Sequence, residues 1–310
     1  MADRSKYIWY NSEILPWDNA KIHVMSHVIH YGSGVWEGIK CYNTNFGPAI
    51  FRLEDHVRRL YDSAKLYSID IKLSKSSIIK GCIDIVKMNN LSSCYIRPII
   101  FYGFDTLGVH PKNCPINVAI GAFNWGAYLG EKSIKSGANV TISTIMKFSN
   151  KSMPTIAKAS GHYTNSYLSV LDAKNRGFDE AILLNESGEI AEGSGQNIFF
   201  VKDSTLYTND EYSSILLGIT RDTVIKIARD NGLKVIVKSF SSEELCNSDE
   251  VFFSGTASEI TPIRSIDHKL ISNGEIGEIT RLLRSEYIRA VTGVEKKYHN
   301  WLSFINSDYI

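Results

Sequence analysis

The chain has 310 residues, 44% hydrophobic and 22% charged, the composition of a globular protein with room for two ordinary domains or one large one. Its 34 Lys and Arg against 33 Asp and Glu leave no basic excess, which argues against nucleic acid as a partner and favours small-molecule chemistry. Five scattered cysteines without a CxxC pair argue against a disulfide framework or a zinc knuckle. The opening residues, MADRSKYIWYNSE, hold no apolar signal core, and no apolar run approaches the roughly 18 residues of a membrane span. The cytoplasm is therefore the expected compartment.

Alternation of apolar and polar residues from Tyr7 to Val28, broken at Asn11-Ser12, predicts short strands and a hairpin. In FRLEDHVRRLYDSAKLYSI, Leu53, Val57, Leu60, Ala64 and Tyr67 recur at helical spacing. A second amphipathic helix is predicted from Ser76 to Met88, then strands at CYIRPIIFYGF and INVAIGAF. The glycine-rich, polar stretch NWGAYLGEKSIKSGAN reads as a connection between domains. Beyond it the pattern predicts a strand at NVTISTI, a polar loop to Pro154, and a helix from Thr164 to Arg176 that stops on Gly177. Strands follow at EAILLN and IFFVKDSTLYT, a helix at TRDTVIKIARDNG, strands at KVIVKSF and EVFFSG, and a closing helix from Glu275 to Ala290. Interspersed helices and strands with hairpins favour two α/β layers, of α+β type, over a doubly wound sheet. The expected division is 1–124, a small N-terminal α/β domain, a connection at 125–137, and a larger domain at 138–310.

Several residues could carry chemistry, and each also has a plain structural reading. Lys158, in MPTIAKASGHY, has small or apolar neighbours that would desolvate its amine and leave more of the neutral nucleophile; a surface lysine fits the same context. Glu192, in EIAEGSGQNIFF, could accept a hydrogen bond from a protonated ring nitrogen, or simply face water in a turn. Gly218, Ile219 and Thr220 open a helix whose free amides suit a phosphate, though an ordinary cap would look alike. Thr256, in SGTASEITP, could add a hydroxyl, and Arg59 a guanidinium, to such a site. His23, His27 and His30 suggest a metal site only if they are helical; their surroundings read as a strand without an acidic partner, so no metal is expected. Gly32, Gly34 and Gly38 resemble a dinucleotide fingerprint that is one residue too long and lacks a following helix.

Taken together, the order and wording of HYGSGVWEG, YIRP, PTIAKASGHY, EGSGQNIF, LGITRD and SGTASEITPI resemble the branched-chain aminotransferases, class IV pyridoxal-phosphate enzymes. The likeness runs from Tyr7 to the last helix. It implies a fold-type IV enzyme with pyridoxal 5'-phosphate between two α/β domains, the C-terminal one binding the cofactor. By the same resemblance Lys158 is the Schiff-base and proton-transfer residue, Tyr163 bonds the cofactor's ring oxygen, and Glu192 its pyridine nitrogen. Arg59, Ile219, Thr220 and Thr256 correspond to the phosphate cradle. Tyr95, Thr256 and Ala257 meet the substrate α-carboxylate, while Trp36, Trp125, Tyr128 and Tyr163 line the side-chain pocket. Tyr31 and Val109 are expected to reach in from a partner subunit of a homodimer or larger oligomer. Arg97, at the pocket rim with Tyr31, is expected to receive the second carboxylate of glutamate.

The implied reaction is ping-pong transfer from leucine, isoleucine or valine to 2-oxoglutarate, with amino acids and 2-oxo acids as partners and neither nucleic acid nor membrane. Trp36 stands where the family commonly has Phe, Lys40 where it has Arg, and Gln196 where it has Glu, which bears on substrate preference. A D-amino-acid aminotransferase, an aminodeoxychorismate lyase and a nicotinamide-dependent dehydrogenase built on the three glycines are the alternatives.

Overall fold

In the computed structural model, residues 4–126 and 128–305 are described. The chain divides into two compact units: Met1–Gly126 with Ala157–His162 and Ala290–Ile310, and Ala127–Ile156 with Tyr163–Arg289. A division contiguous in sequence puts 157–162 and 290–310 in the second domain, but pairing carries both into the first. Val35 bridges Ala159, and the strand Leu302–Phe304 pairs antiparallel with Gly47–Phe51.

Among the described residues the first unit holds an eight-stranded sheet. Its order is Leu302–Phe304, Gly47–Phe51, Ile39–Thr44, Cys94–Tyr102, Ile116–Phe123, Tyr7–Tyr10 and Glu13–Pro16, with Gly34–Trp36 also on Cys94–Tyr102. All its pairings are antiparallel. The predicted hairpin turns at Asn11 and Ser12, both at positive φ as a tight turn requires. Two helices pack on this sheet. In Leu53–Leu66 the stripe Leu53, Val57, Leu60 and Ala64 is buried, with Glu54 and Asp55 in the first turn and Lys65 in the last, matching the helix dipole. In Lys75–Met88 the Ser74 side chain caps the start by accepting from the Ser77 amide, and Ile78, Cys82, Ile85 and Val86 enter the core. Each such aliphatic side chain contributes about 1.5–3 kcal/mol on burial.

The second unit is built on a mixed sheet, nine-stranded among the described residues. Its order is Ile190–Gly193, Glu180–Leu184, Ala138–Ile142, Glu259–Ile266, Glu250–Gly255, Asn197–Lys202, Thr205–Thr208 and Lys234–Val237, with Lys269–Leu270 on Glu259–Ile266. Its core includes Val140, Ile182, Ile198, Phe200, Phe240, Phe253 and Ile263. Helices Tyr163–Asn175, Ile219–Asp230 and Glu278–Val291 fall within a few residues of their predicted places.

Three sequence expectations change. His27–Tyr31 is a short helix, so the strand-like reading around the histidines does not hold. A helix, Gly130–Ser136, occupies part of the predicted connection. The closing helix is followed by the 3-10 turn Lys296–Trp301 and the strand Leu302–Phe304, whose partner lies far back in the chain. Among the described residues no helix is long and apolar enough to cross a membrane, and no cluster of three His, Cys, Asp or Glu could hold a metal.

Candidate active site

In the first unit the lysine segment is pinned through its backbone. The Lys158 amide donates to Ser63 Oγ at 3.0 Å, and the Trp36 amide donates to the Lys158 carbonyl at 3.0 Å. Ala157 and Ala159 on either side are buried, so the main chain at 158 has little freedom. The Lys158 side chain is half-buried, with Nζ 4.3 Å from the centre of the Trp36 ring. Desolvation drives the pKa of this amine down to about 8, with the Arg59 and Arg97 charges adding to the effect and Glu37 and Tyr95 opposing it. The sequence reading of a partly dehydrated amine thus has a geometric basis.

Beside it lies a buried ionic network that the sequence reading missed. Glu37 is fully buried, and Arg59 donates to it from Nε to Oε1 at 2.6 Å and from Nη2 to Oε2 at 2.9 Å. His56 Nδ1 donates to Oε2 at 2.7 Å. Burial alone would push the Glu37 carboxyl up, but the Arg59 and His56 partners reverse this and hold it well below the usual carboxylate range. Burial lowers the His56 pKa despite Glu37. The bidentate pair fixes the plane of the Arg59 guanidinium. A signal was present: His56 and Arg59 sit three apart on a helix, and Glu37 is the one acid in GVWEG.

An aromatic group completes this face. Tyr95 meets Trp125 edge-on with centroids 4.7 Å apart and lies 5.8 Å from Phe123. Gly38 is required here, since a Cβ at that position would overlap the Tyr95 phenol. The Arg97 guanidinium lies 3.9 Å from the Trp36 ring centre and 5.1 Å from that of Tyr95. Thus Trp36, Tyr95, Arg97, Trp125 and Lys158 are assembled, and the glycine motif serves packing in a strand pair. Gly34–Trp36 leads into the strand Ile39–Thr44 rather than a helix, which removes the dinucleotide reading.

Tyr31 and Val109 lie on exposed surface, at 43% and 77%. The Tyr31 hydroxyl donates to the Leu107 carbonyl at 2.7 Å. His27, one of the three histidines weighed as metal ligands, ties down this loop: its ring nitrogens lie 2.6 Å from Ser33 Oγ, 3.0 Å from the Gly108 carbonyl and 3.1 Å from that of Val109.

In the second unit Glu192 is buried and held from three sides. Lys147 Nζ lies 2.7 Å from Oε1, and the Asn197 side-chain amide and the Leu216 backbone amide each donate to Oε2 at 3.1 Å. Lys147 and Asn197 were not singled out in the sequence: Lys147 stands outside the quoted runs, and Asn197, though within EGSGQNIF, reads there as an ordinary polar residue. Asn197 also donates to the Leu216 carbonyl at 2.7 Å. A Cβ at Gly218 would overlap Asn197 Oδ1, so glycine is needed where the helix Ile219–Asp230 begins. No side chain caps that helix, and Ile219 and Thr220 are buried in its first turn. Thr256 and Ala257 are half-buried on the turn between Glu250–Gly255 and Glu259–Ile266. Ser254 pairs with Asn197 in register. The Ser254 and Ser258 hydroxyls are buried without a hydrogen-bond partner among the described residues. Tyr163 is half-buried as the first residue of its helix, and Tyr128 is exposed.

The departures also find places. Gln196 donates to Glu180 Oε2 at 3.2 Å and accepts from the Gly195 amide at 3.0 Å. Burial raises the Glu180 pKa, and a neutral amide beside it avoids a second buried carboxyl. Lys40 is the register partner of Tyr95 and lies 5.2 Å from the Tyr42 ring centre.

The family model described as amino-transferase class IV matches residues 34–266. A branched-chain-amino-acid aminotransferase of Escherichia coli (strain K12) is 42% identical over 304 residues, covering 98% of each chain. The crystal structure of an Escherichia coli branched-chain amino acid aminotransferase superposes with a TM-score of 0.96 at 42% identity, over 98% of this chain and 100% of that one. The T.th. branched-chain amino acid aminotransferase complexed with N-(5'-phosphopyridoxyl)-L-glutamate gives a TM-score of 0.94 at 41% identity, over 98% and 99%. With a matching motif order, fold and length, the chain belongs to the class IV pyridoxal-phosphate aminotransferases, within their branched-chain-amino-acid branch.

Proposed function

We propose that the enzyme moves the amino group of L-leucine, L-isoleucine or L-valine to 2-oxoglutarate in a ping-pong cycle, with Lys158 as the nucleophile and proton carrier. The observation that carries this reading is one aromatic face, Trp36 with Tyr95, that holds both a desolvated amine and a guanidinium. Apolar rings suit an aliphatic side chain, and the guanidinium suits the second carboxylate of glutamate. The glutamate adduct carried by the T.th. relative supports the second half of this pair.

The residues fit the cofactor. The uncapped start of Ile219–Asp230 and the unpartnered hydroxyls of Ser254 and Ser258 form a donor-rich region suited to a phosphate. Thr220, Thr256 and Arg59 are the further groups assigned to hold it, Glu192 the carboxylate toward the ring nitrogen, and Tyr163 the hydroxyl toward the ring oxygen. Bound there, pyridoxal phosphate supplies carbanion stabilisation. The protein supplies the rest. Lys158, with its pKa lowered to about 8, has an appreciable neutral fraction near neutral pH, so Nζ would be available to hold the cofactor and to accept and return a proton. Tyr95 and the Thr256-Ala257 turn are assigned to orient the substrate α-carboxylate. Lys147 and Asn197 hold the Glu192 carboxylate in place. Self-association, with Tyr31 and Val109 completing a neighbouring pocket, belongs to the same proposal.

The direct test is borohydride reduction of the holoenzyme followed by peptide mapping. The cofactor is expected on residue 158, and a label elsewhere, or none, rejects the assignment. Half-reaction spectra taken donor by donor test the substrate range, with L-leucine expected to react and D-alanine not. Arg97→Ala is expected to raise KM for 2-oxoglutarate and glutamate by about tenfold or more, the value of a charge-assisted pair, with that for leucine within about twofold. Equal losses for both would contradict the role given to Arg97.

A further inference from the structure

We infer that Trp36 is the positioning residue for Arg97: its indole carries the guanidinium so that the in-plane donors stay available to a dicarboxylic substrate. The inference rests on the reading of Arg97 above and adds the residue that makes it work.

The sheet explains why Arg97 leans on this ring. Arg97 faces Gly121 across one strand pair, which offers it no side chain. Across the other pair Trp36 is the partner of Ile99, two positions along on the same face, which puts the indole diagonal to Arg97. The guanidinium lies closer to Trp36, at 3.9 Å, than to Tyr95, at 5.1 Å.

Among the described residues Arg97 pairs with no carboxylate. Its polar contact is a long one, Nη2 donating to the Tyr95 hydroxyl at 3.4 Å, and Nε is buried with no hydrogen-bond partner at all. A half-buried cation without a counter-charge must be stabilised by something, and a π face is what this site provides. Stacking engages the flat face of the guanidinium and leaves its edge to meet a carboxylate through two N–H groups. A competing Asp or Glu would have occupied that edge. The same indole lies 4.3 Å from Lys158 Nζ, so the ring also sets the distance between the anion-binding edge and the reacting amine.

The test is calorimetric titration of the holoenzyme with glutarate and with 4-methylvalerate, which carry the glutamate and leucine skeletons but no amino group to transfer. Trp36→Phe, with a weaker π face, is expected to weaken glutarate about fivefold more than it weakens 4-methylvalerate. Trp36→Tyr should fall between, and it carries the test if the phenylalanine variant does not fold. In an Arg97→Ala background, Trp36→Phe should change glutarate binding by less than about twofold, because the group it positions is gone. Equal weakening of both ligands, or full additivity in the double variant, overturns the inference while leaving Arg97 in its role. If Arg97→Ala by itself leaves glutarate binding intact, the reading of Arg97 fails and this inference falls with it.

Discussion

Lys158→Ala is expected to lower turnover of leucine with 2-oxoglutarate by at least about 10³-fold, since it removes the attacking amine and a general acid–base contribution of roughly 10²–10⁴. The loss follows from geometry. Of the candidate residues in the first unit, this is the one amine that sits on the Trp36 face, with a backbone fixed by Ser63 and Trp36. Near-normal turnover in the variant would reject the role. A second readout is independent of catalysis. In the cofactor-free protein, Lys158→Met removes an amine whose pKa falls from 10.5 to about 8 on folding. A base with a lowered pKa disfavours the folded state while it is protonated, and the penalty disappears as pH rises from the folded value towards the unfolded one. The methionine variant should therefore melt higher than the parent at pH 7, and the gap should shrink between about pH 8 and 10.5. A gap independent of pH would mean that the amine is not desolvated.

Glu37→Ala is expected to cost about 3–5 kcal/mol of stability, as removing one member of a buried ion pair does. Arg59 and His56 would be left facing an empty position. Glu37→Gln keeps the shape and separates charge from packing. Glu37 has a folded pKa well below its ordinary 4.5. Its stabilisation is thus complete above that value and is lost as pH falls toward the folded one. The difference between parent and Glu37→Gln should accordingly be flat at neutral pH and narrow below about pH 4.5 in thermal melts. Because Glu37 fixes the Arg59 guanidinium, both variants should also bind pyridoxal phosphate more weakly by fluorescence titration. Unchanged stability and unchanged cofactor affinity together would remove the network from the account.

Much of the fold was legible because its signals are local. The stripe Leu53, Val57, Leu60 and Ala64, the Asn11-Ser12 turn and the Gly177 stop each occupy a few consecutive residues. His27–Tyr31 is too short to show a period, and its placement owes more to His27 reaching the 108–109 carbonyls than to propensity. Glu259–Ile266, which contains Pro262, carries no strand assignment in the sequence reading, and its pairing with Glu250–Gly255 makes it one. The site was legible where residues stand in distinctive runs, as Lys158 and Glu192 do. Their supports were not, because Glu37 meets Arg59 and Lys147 meets Glu192 only after the chain has folded back on itself.

That folding back has a consequence for how the protein is made. During synthesis the strands from Tyr7 to Phe123 emerge early, yet Ala159 and the strand Leu302–Phe304, which the first unit needs, emerge after long stretches assigned to the second. Loops this long must close before those contacts form, which slows their formation. The nascent N-terminal sheet therefore waits with the edge of Gly47–Phe51 uncovered until the strand Leu302–Phe304 has left the ribosome.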